Sequence, residues 1–287
     1  LVKLNLQNEG VVDYIRRAVL FWIDEFGIDG LRLDVAYLLP EWFFEFLRRT
    51  VRERRDDFFL MAEVIHGQNF AKNLTPQRLD SMTNYECYKG LTSALNSDNL
   101  FEIEHSLERL FGSQPWCLYT GKHLFSFVDN HDVVRAYTAL QNKDKIFNMY
   151  AILYTMPGIP CIYYGSECAA EGDKSDNDYK LRPCIDDVDK NKRPDLLKFI
   201  QKLNAIRHSC RALSYGRYEK CVLSNKYMCY KRELDGERIY CAFNISGENV
   251  TVRVEEAEGT DLLTGEVRNL NDIYLPPYSV KLFRKNI

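Results

Sequence analysis

Three stretches of the chain end in acidic residues beside other polar groups. Leu31-Arg32-Leu33-Asp34 alternates apolar and charged residues, which on a β-strand puts Arg32 and Asp34 on one face and Leu31 and Leu33 on the other. Phe58-Phe59-Leu60-Met61-Ala62-Glu63 reads as a buried strand closed by a carboxylate. His123 to Val128 reads as a strand running into Asp129-Asn130-His131-Asp132, a loop that also supplies donors. Acidic residues on three successive elements, Asp34, Glu63 and Asp132, suit cleavage of a glycosidic bond. That reaction uses one carboxylate as nucleophile and one carboxylic acid to protonate the leaving oxygen, about 5–5.5 Å apart in retaining enzymes. A third carboxylate can orient sugar hydroxyls and offset the positive charge that develops on the ring. Arg32 would keep Asp34 ionised, and a less polar pocket would keep Glu63 protonated. An Arg–Asp pair also serves simply to hold a strand end, and this strand alone does not separate the two readings.

The elements that must position these groups alternate. Val11, Val12, Ile15, Ala18, Val19, Trp22, Ile23 and Phe26 form a helical stripe that Gly27 stops, and the Arg32–Asp34 strand follows. Pro40 suits the first turn of a helix whose buried face would be Trp42, Phe43, Phe46, Leu47 and Val51. The Glu63 strand comes next, then a short strand over 79–85 and helices near 86–96 and 100–111. The Asp132 strand, a helix over 144–156, a Gly158-Ile159-Pro160 turn into a 161–165 strand, a polar loop over 166–193 and a helix over 195–207 complete the series. Strands alternating with helices predict a parallel sheet with crossover helices, and strand C-terminal ends are where an α/β barrel does chemistry. After about residue 210 the pattern changes to short alternating segments separated by Asp235-Gly236, Ser246-Gly247 and Thr264-Gly265, which predicts a small antiparallel β-sandwich. The expected domains are therefore 1–209 and 210–287.

Composition narrows the classes. The 287 residues are 46% hydrophobic and 28% charged, an ordinary globular balance. A net charge of −3 provides no basic field for nucleic acid or an anionic membrane. No apolar run reaches the roughly 18–20 residues of a membrane span. Nine cysteines without a Cys-x-x-Cys pair give neither a zinc site nor a disulfide framework, and a reducing, cytoplasmic setting is the simpler expectation. Sequons at Asn73, Asn244 and Asn249 carry no weight there. The acidic loop from Glu171 to Asp178 lacks the glycine and glutamate of an EF-hand counted from Asp173, so a solvated loop is preferred to a calcium site.

These stretches also resemble motifs of the α-amylase superfamily, glycoside hydrolase family 13. Gly30-Leu31-Arg32-Leu33-Asp34 is similar to its fourth-strand Gly-x-Arg-x-Asp motif and Ala62-Glu63-Val64 to its fifth. Phe127-Val128-Asp129-Asn130-His131-Asp132 is similar to its seventh, and Gly158-Ile159-Pro160 with Tyr163-Tyr164-Gly165-Ser166-Glu167 to its eighth. Leu1-Val2-Lys3-Leu4-Asn5 resembles the Met-Pro-Lys-Leu-Asn patch of neopullulanase- and cyclomaltodextrinase-like members, and Arg182-Pro183 an element that follows the eighth strand. The resemblance implies Asp34 as nucleophile, Glu63 as general acid/base and Asp132 as transition-state stabiliser, with Arg32, His131 and Asn130 contacting the nucleophile or the sugar. His66 would touch the leaving-group side, or be a solvated loop histidine.

The departures matter equally. Tyr37-Leu38 replaces the Lys-His of many α-amylases and the Asn-Glu of neopullulanase-like members, and Ile65 stands where a Trp often follows the acid/base. Chain-length and linkage preference therefore do not carry over. The resemblance also implies that only strands four to eight of a (β/α)8 barrel are present, without the first three strands, the inserted domain B and the Asp-x-x-x-Asn-His motif. The expectation is a C-terminal portion of a larger enzyme, impaired alone and able to self-associate through open barrel edges. The implied activity is retaining hydrolysis of α-1,4 bonds in starch-derived oligosaccharides, maltodextrins or cyclodextrins. The alternatives are α-glucan transfer at the same site and a non-catalytic binding subunit. No cofactor is identifiable, and calcium is possible in the missing N-terminal portion.

Overall fold

A computed structural model describes residues 3–66, 70–174 and 178–285. They fall into two compact units, Leu1–Thr83 and Asn84–Ile287.

In the first unit, helix α1 (Glu9–Phe26) starts where the Asn8 side chain accepts from the Gly10 and Val11 amides. It ends on Gly27 in the left-handed conformation, whose N–H bonds Ile23 O. Strands β1 (Gly30–Leu33), β2 (Phe59–Ala62) and β3 (Ser81–Met82) form a parallel sheet in that order. Gly30 is required by the pairing, since a Cβ there would lie 2.6 Å from Phe59 O. Helix α2 (Glu41–Arg52) buries Phe43, Phe44, Leu47, Arg48 and Val51. This corrects the expected face. The stripe is centred on Phe44, which turns Trp42 to solvent and leaves Phe46 only half-buried. Arg48 belongs inside because its guanidinium donates to Phe58 O (2.7 Å) and Arg78 O (3.1 Å) and pairs with Asp80 at 2.5 Å. The stripe on α1 is likewise narrower than its apolar residues suggest: Val19, Leu20 and Ile23 are buried, whereas Trp22 and Phe26 are exposed. The resemblance patch at residues 1–5 falls partly outside the described residues, at Leu1 and Val2.

The second unit opens with α3 (Tyr85–Ser97), capped by the Asn84 side chain, and α4 (Phe101–Phe111). Strand β4 (Phe125–Phe127) pairs in parallel with β5 (Ile159–Cys161), and α5 (Ala136–Ala139) and α6 (Ile146–Thr155) lie between them in sequence. The segment read as a Gly-Ile-Pro turn is thus the strand itself. Gly158, at φ +117°, lets the backbone pass where a Cβ would meet Leu124 O at 2.5 Å, and Ile159 N then bonds that carbonyl. Helices α7 (Pro194–Ser209) and α8 (Arg211–Tyr215) follow.

The remaining strands are β6 (Arg217–Leu223), β7 (Tyr227–Leu234), β8 (Glu237–Asn244), β9 (Val250–Val252), β10 (Glu258–Asp261), β11 (Val267–Asn269), β12 (Ile273–Leu275) and β13 (Val280–Lys285). They make an antiparallel sheet of order β11-β10-β13-β8-β7-β6 and a β12-β9 pair, as the texture change after residue 210 predicted. Cys229, Tyr240, Ala242, Val252, Leu270, Leu275 and Phe283 form the core between the two. Two arginines gather carbonyls around the carboxyl end of α6, half-buried Arg207 from α7 and fully buried Arg232 from β7. Arg207 donates to Tyr154 O (2.6 Å) and Gly158 O (2.5 Å), while Arg232 donates to Thr155 O (2.6 Å), Leu213 O (2.9 Å) and Gly216 O (2.8 Å). Burial lowers the pKa of both guanidiniums to about 10, and carbonyls at a helix C-terminus are favourable partners for a cation. Arg232→Met removes the donor of three carbonyls at once. It is expected to cost the unit about 3–5 kcal/mol, read as a lowered denaturant midpoint.

Candidate active site

At the carboxyl end of β1 the period-two pattern holds. Leu31 and Leu33 are half-buried, and Arg32 and Asp34 point to the other side. The Asp34 side chain is 71% exposed, whereas that of Glu63, one residue beyond β2, is 8% exposed. One guanidinium serves both. Arg32 Nη1 lies 2.7 Å from Asp34 Oδ1, and Arg32 Nη2 lies 2.9 Å from Glu63 Oε1. The second Glu63 oxygen accepts from Val35 N–H at 2.9 Å. The expectation of a less polar pocket around Glu63 is therefore corrected: both carboxylate oxygens have donors, because β1 and β2 end level with each other. Their register pairs Leu33 with Ala62, and the ladder runs on through Glu63 N to Leu33 O (2.9 Å) and Ala36 N to Glu63 O (3.1 Å).

Val35 pays a conformational cost for its place. It is a β-branched residue in the left-handed region (φ 48°, ψ 39°), a backbone state costing on the order of 1–3 kcal/mol. That conformation aims its N–H at Glu63. No pattern in the sequence announces it. His66 lies exposed in the bend after Val64, next to residues 67–69, which are outside the described set. It is not drawn into the Arg32 cluster.

In the second unit, the loop after β4 collects Asn130, His131 and Asp132. Asn130 Oδ1 accepts from Asp132 N (2.8 Å), and its Nδ2 donates to Tyr85 Oη (3.3 Å), so the amide shapes the loop. His131 Nε2 is 3.0 Å from Asp132 Oδ2, and Arg182 Nη2 is 2.9 Å from Asp132 Oδ1. Arg182 Nε also donates to His131 O at 3.0 Å. Arg182 had a sequence signal, the Arg-Pro after the eighth-strand motif, but nothing there disclosed that it pairs with Asp132.

Beneath this loop is a buried knot. Asp129 accepts from Ala136 N (2.8 Å) and from the Ser166 hydroxyl at both oxygens (2.9 and 2.7 Å), with Arg135 Nε at 3.7 Å. Burial raises the Asp129 pKa above the ordinary carboxylate range, and these donors and Arg135 pull against it. The Arg135 guanidinium lies 4.4 Å from the Tyr163 ring centre and donates to Tyr164 O. Asp129 is thus a scaffold residue one turn of the loop away from the accessible Asp132.

The acidic loop is neutralised by lysines and arginine. Glu171 pairs with Lys192 (3.2 Å), Asp173 with Lys180 (3.8 Å) and Asp178 with Arg182 (3.4 Å). Ser175, Asp176 and Asn177 lie outside the described residues. Among the described residues no group of three or more His, Cys, Asp or Glu side chains is arranged to hold a metal ion. Among them, too, no helix is long and apolar enough to cross a membrane.

Removing Arg32 strands the buried Glu63 carboxylate with one donor. Arg32→Ala is expected to cost about 2–3 kcal/mol in chemical denaturation. Most of that loss should return in the Arg32→Ala/Glu63→Gln double variant, and additive losses would show that the pair is not coupled.

Residues 1–195 match the alpha-amylase family, described as alpha amylase, catalytic domain. The chain is 28% identical over 266 residues to a cyclomaltodextrinase of Bacillus sp, covering 88% of this chain and 45% of that protein. It is 27% identical over 253 residues to an intracellular maltogenic amylase of Bacillus subtilis, covering 84% and 41%. It spans less than half the length of either relative. Among solved structures, an Anoxybacillus α-amylase superposes with a TM-score of 0.82 at 25% identity, covering 99% of this chain and 64% of that one. The fold is accordingly that of the barrel-type amylases with a β-sheet C-terminal domain.

Proposed function

The chain belongs to the α-amylase family, and from that membership we propose that it cleaves α-1,4-glucosidic bonds of maltodextrins, cyclodextrins or other starch-derived oligosaccharides with retention of configuration. The observation that carries the proposal is the Arg32 fork, one guanidinium shared by an exposed and a buried carboxylate at the ends of two adjacent parallel strands. Asp34, open to solvent, attacks the anomeric carbon. Glu63 protonates the leaving oxygen and later takes a proton from the incoming water. Asp132 offsets charge on the ring, held by His131 and Arg182.

The sharing of Arg32 has a mechanistic sense in this scheme. The scheme requires Glu63 to take up a proton before attack, which leaves Asp34 as the carboxylate that Arg32 balances. Once Asp34 becomes an ester and Glu63 has given up its proton, the charge sits on Glu63, where Arg32 and Val35 N–H already point. The cation therefore need not move between the two steps.

We assign β1, β2 and β3, one parallel sheet, to the fourth to sixth strands of the barrel and the parallel pair β4 and β5 to the seventh and eighth, with the catalytic part over 1–209 and the β-domain over 210–287. Closure takes eight strands, so the chain alone is expected to turn over starch poorly and to self-associate along the unpaired edge of β1. Turnover by the chain alone at an ordinary kcat of about 1–10³ s⁻¹ would contradict that assignment. A cytoplasmic setting is proposed from the nine free thiols and the similarity to a relative named intracellular. The partner is the glucan, with no nucleic acid, membrane or cofactor required by the chemistry.

The catalytic assignment is tested by digesting maltoheptaose and following products by proton NMR. The α-anomer is expected first. Glu63→Gln is expected to lower kcat about 10²–10⁴-fold, with Asp34→Asn at least as damaging. An initial β-anomer, or undiminished turnover by Asp34→Asn, would overturn it. Longer products at high acceptor concentration would assign transfer in place of hydrolysis.

A further inference from the structure

Strand β6 carries a bulge. Lys220 pairs with Tyr230 and Val222 with Cys229, so Cys221 is the extra residue. In such a bulge two residues oppose one, here Cys221 and Val222 against Cys229. Val222 packs against the core cluster that contains Cys229. We propose that Cys221 and Cys229 form a peroxide-reactive thiol pair that closes to a cross-strand disulfide in the β-domain.

Adjacent antiparallel strands bring opposed Cα atoms to about 4.5–5.5 Å, within the span a disulfide accepts. The two thiols differ in the way the chemistry needs. Cys221 is exposed, and Cys229 is 1% exposed. The Cys221 thiol is held below its ordinary pKa by the facing Cys229 thiol, with the nearby Lys231 ammonium adding to the effect against partial desolvation. The same contact, together with burial, pushes Cys229 well up. Cys221 is thus the nucleophile and Cys229 the resolving thiol. Cys241 does not compete by register: it pairs with Tyr230, one residue on from Cys229, and so faces the opposite side of β7.

The oxidant is a peroxide. The Cys221 thiolate attacks one peroxide oxygen, giving a sulfenic acid and releasing hydroxide. Cys229 sulfur then attacks the sulfenic sulfur. The S–O bond breaks, and hydroxide leaves with the Cys229 proton as water. Two thiols are oxidised and one hydrogen peroxide is reduced to two waters.

Trypsin cuts after Lys220, Lys226 and Lys231, which isolates the cysteines on peptides 221–226 and 227–231. After treatment of the folded 287-residue chain with hydrogen peroxide and alkylation of free thiols, mass spectrometry is expected to find these peptides joined and two hydrogens lighter than their sum. Dithiothreitol should separate them. Cys229→Ser, and Cys229→Ala in case the serine unsettles the core, should abolish the joined species and leave Cys221 trapped by dimedone as the sulfenic acid. Cys221→Ser should leave Cys229 unmodified. Iodoacetamide should label Cys221 at least about tenfold faster than Cys229. Oxidation of Cys221 to the sulfinic acid without a joined peptide, or its pairing with another cysteine or a second chain, would overturn the proposal.

Discussion

The shared guanidinium of Arg32 is the interaction on which the strand ends of the first unit depend. It joins a carboxylate open to solvent with one that is nearly buried, at 2.7 and 2.9 Å. A single charged group cannot satisfy both unless β1 and β2 end at the same level, so the fork presupposes the strand register. That register in turn depends on Gly30, where any side chain would collide with Phe59 O. It also depends on Val35, whose left-handed backbone supplies the other donor to Glu63. Local strain at Val35 is offset by satisfying a buried carboxylate, a trade that makes sense only where the carboxylate must stay in place.

The loop bearing Asp132 is organised on a different principle. Its exposed face is a set of ionic contacts among His131, Asp132 and Arg182. Underneath, Asp129 binds a backbone amide and a hydroxyl deep in the protein, with Arg135 capped by Tyr163 and the Tyr164 carbonyl. Two aspartates three positions apart thus have opposite tasks. The buried one fixes the loop to its scaffold, and the half-exposed one is held at the surface by His131 and Arg182. A loop that kept only the surface ion pairs would have its geometry set by solvent-screened interactions worth little individually.

How far the sequence discloses this varies with the physics involved. Period-two alternation at Leu31–Asp34 and the change of texture after residue 210 were legible, because side-chain burial follows backbone periodicity. The face of α2 departs from its apolar pattern because Arg48 has the character of a surface residue, and only the tertiary structure supplies the Phe58 and Arg78 carbonyls that bring it inside. β5 begins earlier than its sequence suggests because Gly158-Ile159-Pro160 has turn composition, although the glycine is there to let two backbones approach. The polar surroundings of Glu63 and the strain at Val35 had no sequence signal. Both arise from a donor brought in by a neighbouring strand end, which no one-dimensional pattern contains.

The β-domain shows the same dependence of chemistry on backbone detail. β6 is an edge strand, and an edge with a regular ladder invites another strand to pair with it. Here the edge is interrupted by the bulge at Cys221 and carries Arg217, Glu219 and Lys220 toward solvent, features that discourage such pairing. The device that protects the edge also lies at the exposed thiol that faces the buried Cys229. The ladder from Arg217 to Lys220, continued regularly, would pair Cys221 directly with Cys229, and the bulge adds Val222 to that position so that two residues face Cys229. The bulge therefore interrupts the ladder that a further strand would join while it leaves Cys221 opposite Cys229.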